Sequence, residues 1–419
     1  MMRVLFVTLS EKSHVYLTVP LAWALTAAGH EVRVASQPMA TETITQAGLT
    51  AVPVGTDHGI HQGMSAYRDS QDYRTTNWSR CERDGPDGVD WAELKERYEV
   101  SVPYAFAVYN DSMIDDLAAL ARSWRPDLVI RDPLAYAGAV AARISGAAHA
   151  RLMWCADVWG RTRHTYLDLM REQPEHERVD PLADWLTARS EPFGFSCDEE
   201  MLHGQATLST LPAALSVPTA SPELPMRHVP YNGRAVVWDW LREEAERPRV
   251  CLSLGTSNTE GYGGDYVSVP EILDALADDD VEVVAALLPA QREKLGTLPD
   301  NARAVDSVAL HTLLPSCSAV IHHGGYGSFA TAMAAGVPQL VLSTLVSDHE
   351  LRGRALERTG AGAYLHHRDA TAETVRDQIR RLVGKPEPAA AARRLRADCE
   401  AMPTPHAVVP ALERLAAAR

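Results

Sequence analysis

Short runs of consecutive apolar residues alternate with longer segments of helical periodicity from the start of the chain. Residues 4–7 (Val-Leu-Phe-Val) are apolar at every position, as a strand covered on both faces must be. A polar loop at residues 10–14 leads to a helical segment at 19–28, closed by Gly29, a residue suited to a helix C-terminus. Residues 31–35 (Glu-Val-Arg-Val-Ala) read as the next strand. Strand, helix and strand within about 35 residues predict a right-handed parallel βαβ unit. The rhythm recurs at residues 128–130, where Asp132 and Pro133 read as the N-cap and first position of the following helix. It restarts at residues 250–254, followed by the small-residue loop Gly255-Thr256-Ser257-Asn258, and continues with strands at 281–288 and 319–321. Between the two series, Pro222, Pro225, Pro230 and Pro248 mark a linker.

The pattern predicts an α/β chain of two doubly wound, Rossmann-like sheets facing across a cleft, with ligands beyond the carboxyl ends of the strands. The expected divisions are a first domain at residues 1–225, a linker at 226–248, a second domain at 249–400 and a closing helical segment at 401–419. Residues 58–90, rich in Asp, Arg, Ser and Gly, read as a long insertion. A length of 419 residues suits two domains rather than one.

Composition narrows the partners. Hydrophobic residues at 46% and charged residues at 23% are a globular balance, which excludes large-scale disorder. A net charge of −15 argues against nucleic acid, whose phosphates need clustered cations. It leaves room for a small anion held locally by a helix terminus. Cys81, Cys155, Cys197, Cys251, Cys317 and Cys399 are scattered without a C-x-x-C pair, so reduced thiols are expected rather than disulfides or a zinc site. The apolar stretch at 134–154 is interrupted by Arg143 and Arg151 and does not read as a membrane span. With no secretory signal ahead of the first strand, a cytoplasmic protein is expected.

Chemistry concentrates in His322-His323-Gly324-Gly325-Tyr326-Gly327-Ser328, directly after the strand at 319–321. A helix of small residues, 329–335, follows and closes at Gly336-Val337-Pro338. Glycines ahead of a helix let the backbone approach a ligand, and the free N–H groups and positive dipole end of that helix then face it. That suits a diphosphate, with His323 and Ser328 adding charge-assisted hydrogen bonds. It is neither the G-x-G-x-x-G nor the Walker pattern. His14, in the loop after the first strand, is a candidate general base because imidazole titrates near working pH. Asp132 follows another strand and reads equally as the carboxylate that orients His14 or as a simple helix cap. No metal or other cofactor is expected, because amides and a helix dipole can stabilise a leaving diphosphate.

His323-Gly-Gly-Tyr-Gly-Ser328, Gly336-Val-Pro338, Asp348 and Gly360-Ala-Gly362 together resemble the donor-binding signature of GT-B glycosyltransferases. Ser13-His14, Trp124-Arg-Pro-Asp-Leu128, Val229-Pro-Tyr-Asn-Gly233 and Leu313-Leu-Pro315 extend the likeness almost end to end. They make the chain similar to the bacterial glycosyltransferases that attach TDP-deoxysugars to macrolide and aromatic polyketide antibiotics. The resemblance implies an inverting, metal-independent transfer from a TDP-deoxysugar to an aglycone hydroxyl, with His14 as base. It implies that His323, Gly324, Gly325, Gly327 and Ser328 hold the diphosphate, reached also by Gly255, Thr256 and Ser257. Val308 would hold the nucleobase through its backbone, and Asp348, beside His349, would contact the sugar. Ser343 and His349 depart from the residues common in relatives, Pro at the first and Gln or Thr at the second. The resemblance further implies a closing helix that crosses back to the first domain and, in some members, a helper protein resembling a cytochrome P450. A homodimer is left open. Trp78, Tyr104, Phe106, Trp154, Trp159 and Tyr166 are candidates for an acceptor slot, and His366-His367 reads as surface. Two other readings fit the phosphate loop: a nucleotide-sugar epimerase of the same fold, and a non-enzymatic two-lobed binding protein.

Overall fold

The computed structural model describes residues 1–60, 76–84, 88–255, 266–306 and 308–419. Of the insertion read at residues 58–90, residues 61–75 and 85–87 lie outside the described residues. The chain forms two compact units. The first comprises Met1–Thr210, Ser216–Arg227 and Pro403–Arg419, and the second Leu211–Leu215 and His228–Met402.

The first unit is built on seven parallel strands: β1 (Arg3–Val7), β2 (Glu31–Ser36), β3 (Ala51–Pro53), β4 (Leu128–Arg131), β5 (Ala148–Leu152), β6 (Ala206–Ser209) and β7 (Glu223–Pro225). Their order is β3-β2-β1-β4-β5-β6-β7. Strand β1 is central, with Val4 opposite Val32 on one side and Leu128 on the other. Strands β4, β5 and β6 are buried along their whole length, which is why their sequences are near-continuous apolar runs. Two charges break those runs, Arg131 and Arg151, and both are spent inside the unit. Arg151 grips Asp157 through two contacts of 2.9 and 2.6 Å, and Arg131 donates to the carbonyls of Asp132 and Pro133.

The first helix, Lys12–Ala27, packs against the last, Pro405–Ala417. The C-terminal segment thus belongs to the first unit, where Glu413 Oε1 lies 3.2 Å from His30 Nε2 and Arg419 Nη2 donates to Glu200 Oε1 at 2.8 Å.

The second unit has six parallel strands: β8 (Arg249–Ser253), β9 (Glu282–Leu287), β10 (Ala302–Asp306), β11 (Ala319–His322), β12 (Gln339–Ser343) and β13 (Gly362–His366). They run in the order β10-β9-β8-β11-β12-β13. Alternate side chains feed separate apolar layers. Val250, Leu252, Val283, Ala285 and Ile321 join one layer, and Cys251, Val284 and Val320 the other.

In each sheet the chain starts in the middle, builds outward in one direction and then returns to build in the other. The order therefore reverses between β1 and β4 in the first unit and between β8 and β11 in the second. Such a reversal opens a crevice beyond the carboxyl ends of the two strands. All six cysteines are free thiols. No described helix is long and apolar enough to cross a membrane. His366 and His367 are half-buried with ring centroids 4.4 Å apart, a packed pair rather than the free surface residues read from the sequence.

Candidate functional site

In the first unit the chain leaves β1 at Val7 and enters the first helix with Glu11 at its N-cap position. His14 therefore lies in the first turn of that helix, not in the loop expected from the sequence. The chain leaving β4 is tied to β1 by the Asp132 N–H, which donates to the Val7 carbonyl at 2.9 Å. The helix that follows begins only at Ala137, so Asp132 is not its cap. Pro133 starts a turn instead, and Asp132 Oδ1 accepts from the Leu134 N–H at 2.9 Å. The other oxygen, Oδ2, lies 2.6 Å from His14 Nδ1 and also accepts from Trp154 Nε1 at 3.0 Å. Two side chains 118 positions apart in sequence thus meet at the sheet's reversal point.

An ionised carboxylate only accepts, so Nδ1 carries the proton and Nε2 keeps the lone pair. Burial pushes the His14 imidazole down, but the charge and hydrogen bond of Asp132, helped by the charge of Glu11, outweigh it and leave His14 above its ordinary value. Its side chain is 16% exposed against 4% for Asp132, an arrangement in which the imidazole meets a ligand and the acid stays behind it.

Aromatic rings lead away from this pair. Trp154 lies 4.8 Å from His14, Trp159 6.3 Å from Trp154, and Trp78 4.4 Å from Trp159, all between ring centroids. Trp78, Tyr98, Phe106, Tyr136 and Trp159 line a small cavity together with Arg151 and Arg163. Both arginines are neutralised, the first by Asp157 and the second by Asp180 and Glu199. The Trp159 indole nitrogen is buried with no hydrogen-bond partner among the described residues. Tyr166 does not line the cavity but packs its ring 4.6 Å from that of Tyr98 and donates to the Val179 carbonyl at 2.7 Å, and Tyr104 is 73% exposed.

In the second unit the helix after β11 spans Tyr326–Ala335, with Gly325 as its N-cap residue and no side chain capping it. It starts three residues before the expected position, so Gly327 and Ser328 are in its first turn. The first intrahelical bond closes from the Phe329 N–H to the Gly325 carbonyl at 3.1 Å. Earlier amides have no partner within the helix, the usual condition of a helix start and the one that receives anions.

The loop leading to it is held on several sides. Gly324 adopts φ +91°, a left-handed conformation that favours glycine. Its N–H donates to His322 Nδ1 at 3.0 Å, and its carbonyl accepts from Arg352 Nη2 at 2.8 Å. The His323 ring is seated between two glycines. A Cβ on Gly255 would come within 2.2 Å of that ring, and one on Gly325 within 2.3 Å. Burial, with the charge of Arg352, pushes His323 down to about 4, so its imidazole is neutral. Its buried Nδ1 has no hydrogen-bond partner among the described residues.

Asp348 is fully buried and accepts from Arg352 Nη2 at 3.1 Å. Ser343 Oγ lies 2.8 Å from His349 Nδ1, so the two positions that depart from the common pattern are bonded to one another. The Val308 side chain is buried in the layer that contains Cys251 and Ala332. Thr256 and Ser257 lie outside the described residues.

Two residues that sequence reasoning passed over hold this loop. His322 is fully buried, with Nε2 2.8 Å from Gln339 Oε1 and Nδ1 accepting from Gly324. Arg352, 1% exposed, bridges Gly324 and Asp348 while its guanidinium carbon lies 4.5 Å from the Phe329 ring and 5.4 Å from that of Tyr326. The signal for Arg352 was its spacing, four residues after Asp348 on one helix.

Residues 23–255 match the family described as "Erythromycin biosynthesis protein CIII-like, N-terminal domain", and residues 270–415 match its C-terminal domain. The chain belongs to the EryCIII-like glycosyltransferases. This EryCIII-like chain is 48% identical to 10-deoxymethynolide desosaminyltransferase of Streptomyces venezuelae, over 99% of the chain and 97% of the relative. It is 44% identical to aclacinomycin-T 2-deoxy-L-fucose transferase of Streptomyces galilaeus, over 99% and 96%. Among solved structures, glycosyltransferase VinC in complex with dTDP superposes with a TM-score of 0.88 at 40% identity, covering all of both chains. The GT-B fold, two parallel-sheet Rossmann-like units, follows from this match.

Two outcomes are expected of the EryCIII-like loop supports. Arg352→Met leaves Asp348 buried without its cation, and should lower unfolding free energy by about 3 kcal/mol. Adding Asp348→Asn should recover most of that loss in chemical denaturation. His322 is pushed down to about 3, chiefly by burial. An unfolded imidazole takes up its proton near 6.5, so the unfolded chain binds more protons between those values and stability falls as pH drops through that window. The slope is about 1.4 kcal/mol per pH unit for this group. Urea titrations from pH 7 to pH 5 should show it, and His322→Gln should reduce the slope by about that amount while His323, pushed down to about 4, keeps its own share.

Proposed function

We propose that this glycosyltransferase moves a deoxysugar from a TDP-sugar to a hydroxyl of a polyketide aglycone, inverting the anomeric centre without a metal. The 2.6 Å contact between His14 Nδ1 and Asp132 Oδ2 carries the reading. It orients the imidazole so that Nε2, in the neutral form, takes the acceptor proton as the sugar–phosphate bond breaks. Asp132 keeps the ring in the right tautomer and stabilises the imidazolium as it forms. Such a base contributes roughly 10²–10⁴-fold.

The donor belongs on the second unit. The first-turn amides of the Tyr326–Ala335 helix, with Ser328 and the neutral His323, are donors aimed at a diphosphate whose negative charge grows on departure. The relative solved with dTDP supports thymidine diphosphate as the carrier, and the two named transferases support a deoxysugar and a polyketide acceptor. Asp348 and His349, tied to the same loop and strand through Arg352 and Ser343, would stand nearest the sugar. The acceptor belongs on the first unit, where the aromatic cavity offers flat apolar faces and one unpartnered indole N–H.

The proposal is tested with His14→Ala. TDP affinity, read by calorimetry, should change less than twofold, while kcat should fall about 10²–10⁴-fold. The wild-type product should carry the opposite anomeric configuration to the donor by NMR, and a chelator should leave turnover unchanged. Near-native kcat in His14→Ala removes the base, and a retained configuration removes direct displacement.

A further inference from the structure

We propose that Trp154 is a positioning residue for the base: its indole N–H fixes the Asp132 carboxylate while its ring fixes the His14 imidazole. The sequence suggested only an acceptor-slot wall at this position. The proposal rests on the reading of His14 as the general base.

Trp154 follows β5, so the three neighbouring strands β1, β4 and β5 each deliver one member of the set His14, Asp132 and Trp154. Among the described residues, Asp132 Oδ1 is held by the Leu134 N–H alone. A carboxylate anchored at one oxygen still rotates about its Cβ–Cγ bond, which would swing Oδ2 away from the imidazole. The Trp154 N–H, arriving at Oδ2 from a different strand, removes that freedom. The same indole lies 4.8 Å from the His14 ring at 56°, so the imidazole is constrained by a hydrogen bond at Nδ1 and by an aromatic neighbour. Trp154 is itself anchored through the preceding residue. The Met153 N–H donates to the Leu208 carbonyl at 2.9 Å, and the Met153 carbonyl accepts from Thr210 Oγ1 at 3.1 Å.

The electrostatic consequence has a definite sign. Asp132 and Glu11 are the acidic groups acting on His14, and His58 Nε2 lies 3.7 Å from Glu11 Oε1. Arg131 acts on the Asp132 side, donating to its backbone carbonyl at 3.1 Å. A third N–H on the carboxylate draws part of its charge away from the imidazole. Without it, more of that charge favours the imidazolium, and His14 releases its proton at higher pH.

The test is Trp154→Phe, which keeps a ring beside His14 and loses the N–H. The acid limb of kcat/KM should move up by about half a pH unit and plateau kcat should fall about tenfold. The KM for acceptor should stay within twofold, and TDP affinity should be unchanged. In an Asp132→Asn background the same substitution should cost much less, because both act through one carboxylate. An unmoved acid limb, a loss confined to acceptor KM, or an equal loss in both backgrounds overturns the proposal. Should Trp154→Phe fail to fold, the indole ¹⁵N–¹H signal of Trp154 in the otherwise native enzyme is read instead. It should shift on Asp132→Ala, and an unmoved signal overturns the proposal. Full activity of His14→Ala would instead sink the base reading, whatever Trp154 does.

Discussion

A parallel sheet has to be covered on both faces, because its strands are linked by helices that cross from one edge to the other. In this chain β4, β5, β6, β8, β11 and β12 are buried at every residue. Open ground is therefore left only at the strand ends, and chiefly where the strand order reverses. Both candidate sites stand there. His14 and Asp132 follow β1 and β4, the two strands either side of the first reversal. Gly255 and the His323 loop follow β8 and β11, either side of the second. The chemistry is where the sheet physics leaves room for it.

What holds each site open is polar and buried. In the second unit one glycine is gripped at both backbone atoms, by His322 and Arg352, and Arg352 is balanced by Asp348. Glycines elsewhere in the loop give the His323 ring its seat. A loop fixed in this way presents its amides without having to reorganise when charge develops on a leaving group. In the first unit the acid behind His14 has three hydrogen-bond donors, drawn from three separate stretches of chain. At both places part of the rigidity comes from contacts distant in sequence, Arg352 to Gly324 in one and His14 and Trp154 to Asp132 in the other.

That origin explains what the sequence disclosed. The strands were legible because burial on both faces writes itself as uninterrupted apolar runs. The loop ahead of the Tyr326–Ala335 helix was legible from the whole string His322 to Ser328 with Gly336-Val337-Pro338 behind it, where two glycines alone would mark only a turn. Helix starts were less so. Asp132-Pro133 has the composition of a helix cap yet opens a turn four residues ahead of the helix, since the carboxylate is needed by Leu134, Trp154 and His14. Gly327 looked like loop and belongs to a first helical turn. Arg352 was hidden by a helix whose sequence, His-Glu-Leu-Arg-Gly-Arg, has the polarity of a solvated face. The bond between Ser343 and His349 joins two departures that the sequence could only note one at a time. Asp132 had an ordinary alternative as a helix cap, and its meeting with His14 depends on strand order, which no local pattern encodes.

The neutrality of His323 reaches beyond binding. A pyrophosphate seated there would meet amide dipoles and an uncharged ring, while the nearby guanidinium is already balanced by a buried carboxylate. Attraction of that kind grows with the charge that builds as the sugar–phosphate bond breaks, yet lacks the deep Coulomb well of a bare cation. Under the proposed reading, the spent nucleotide would leave a neutral seat rather than a bare cation.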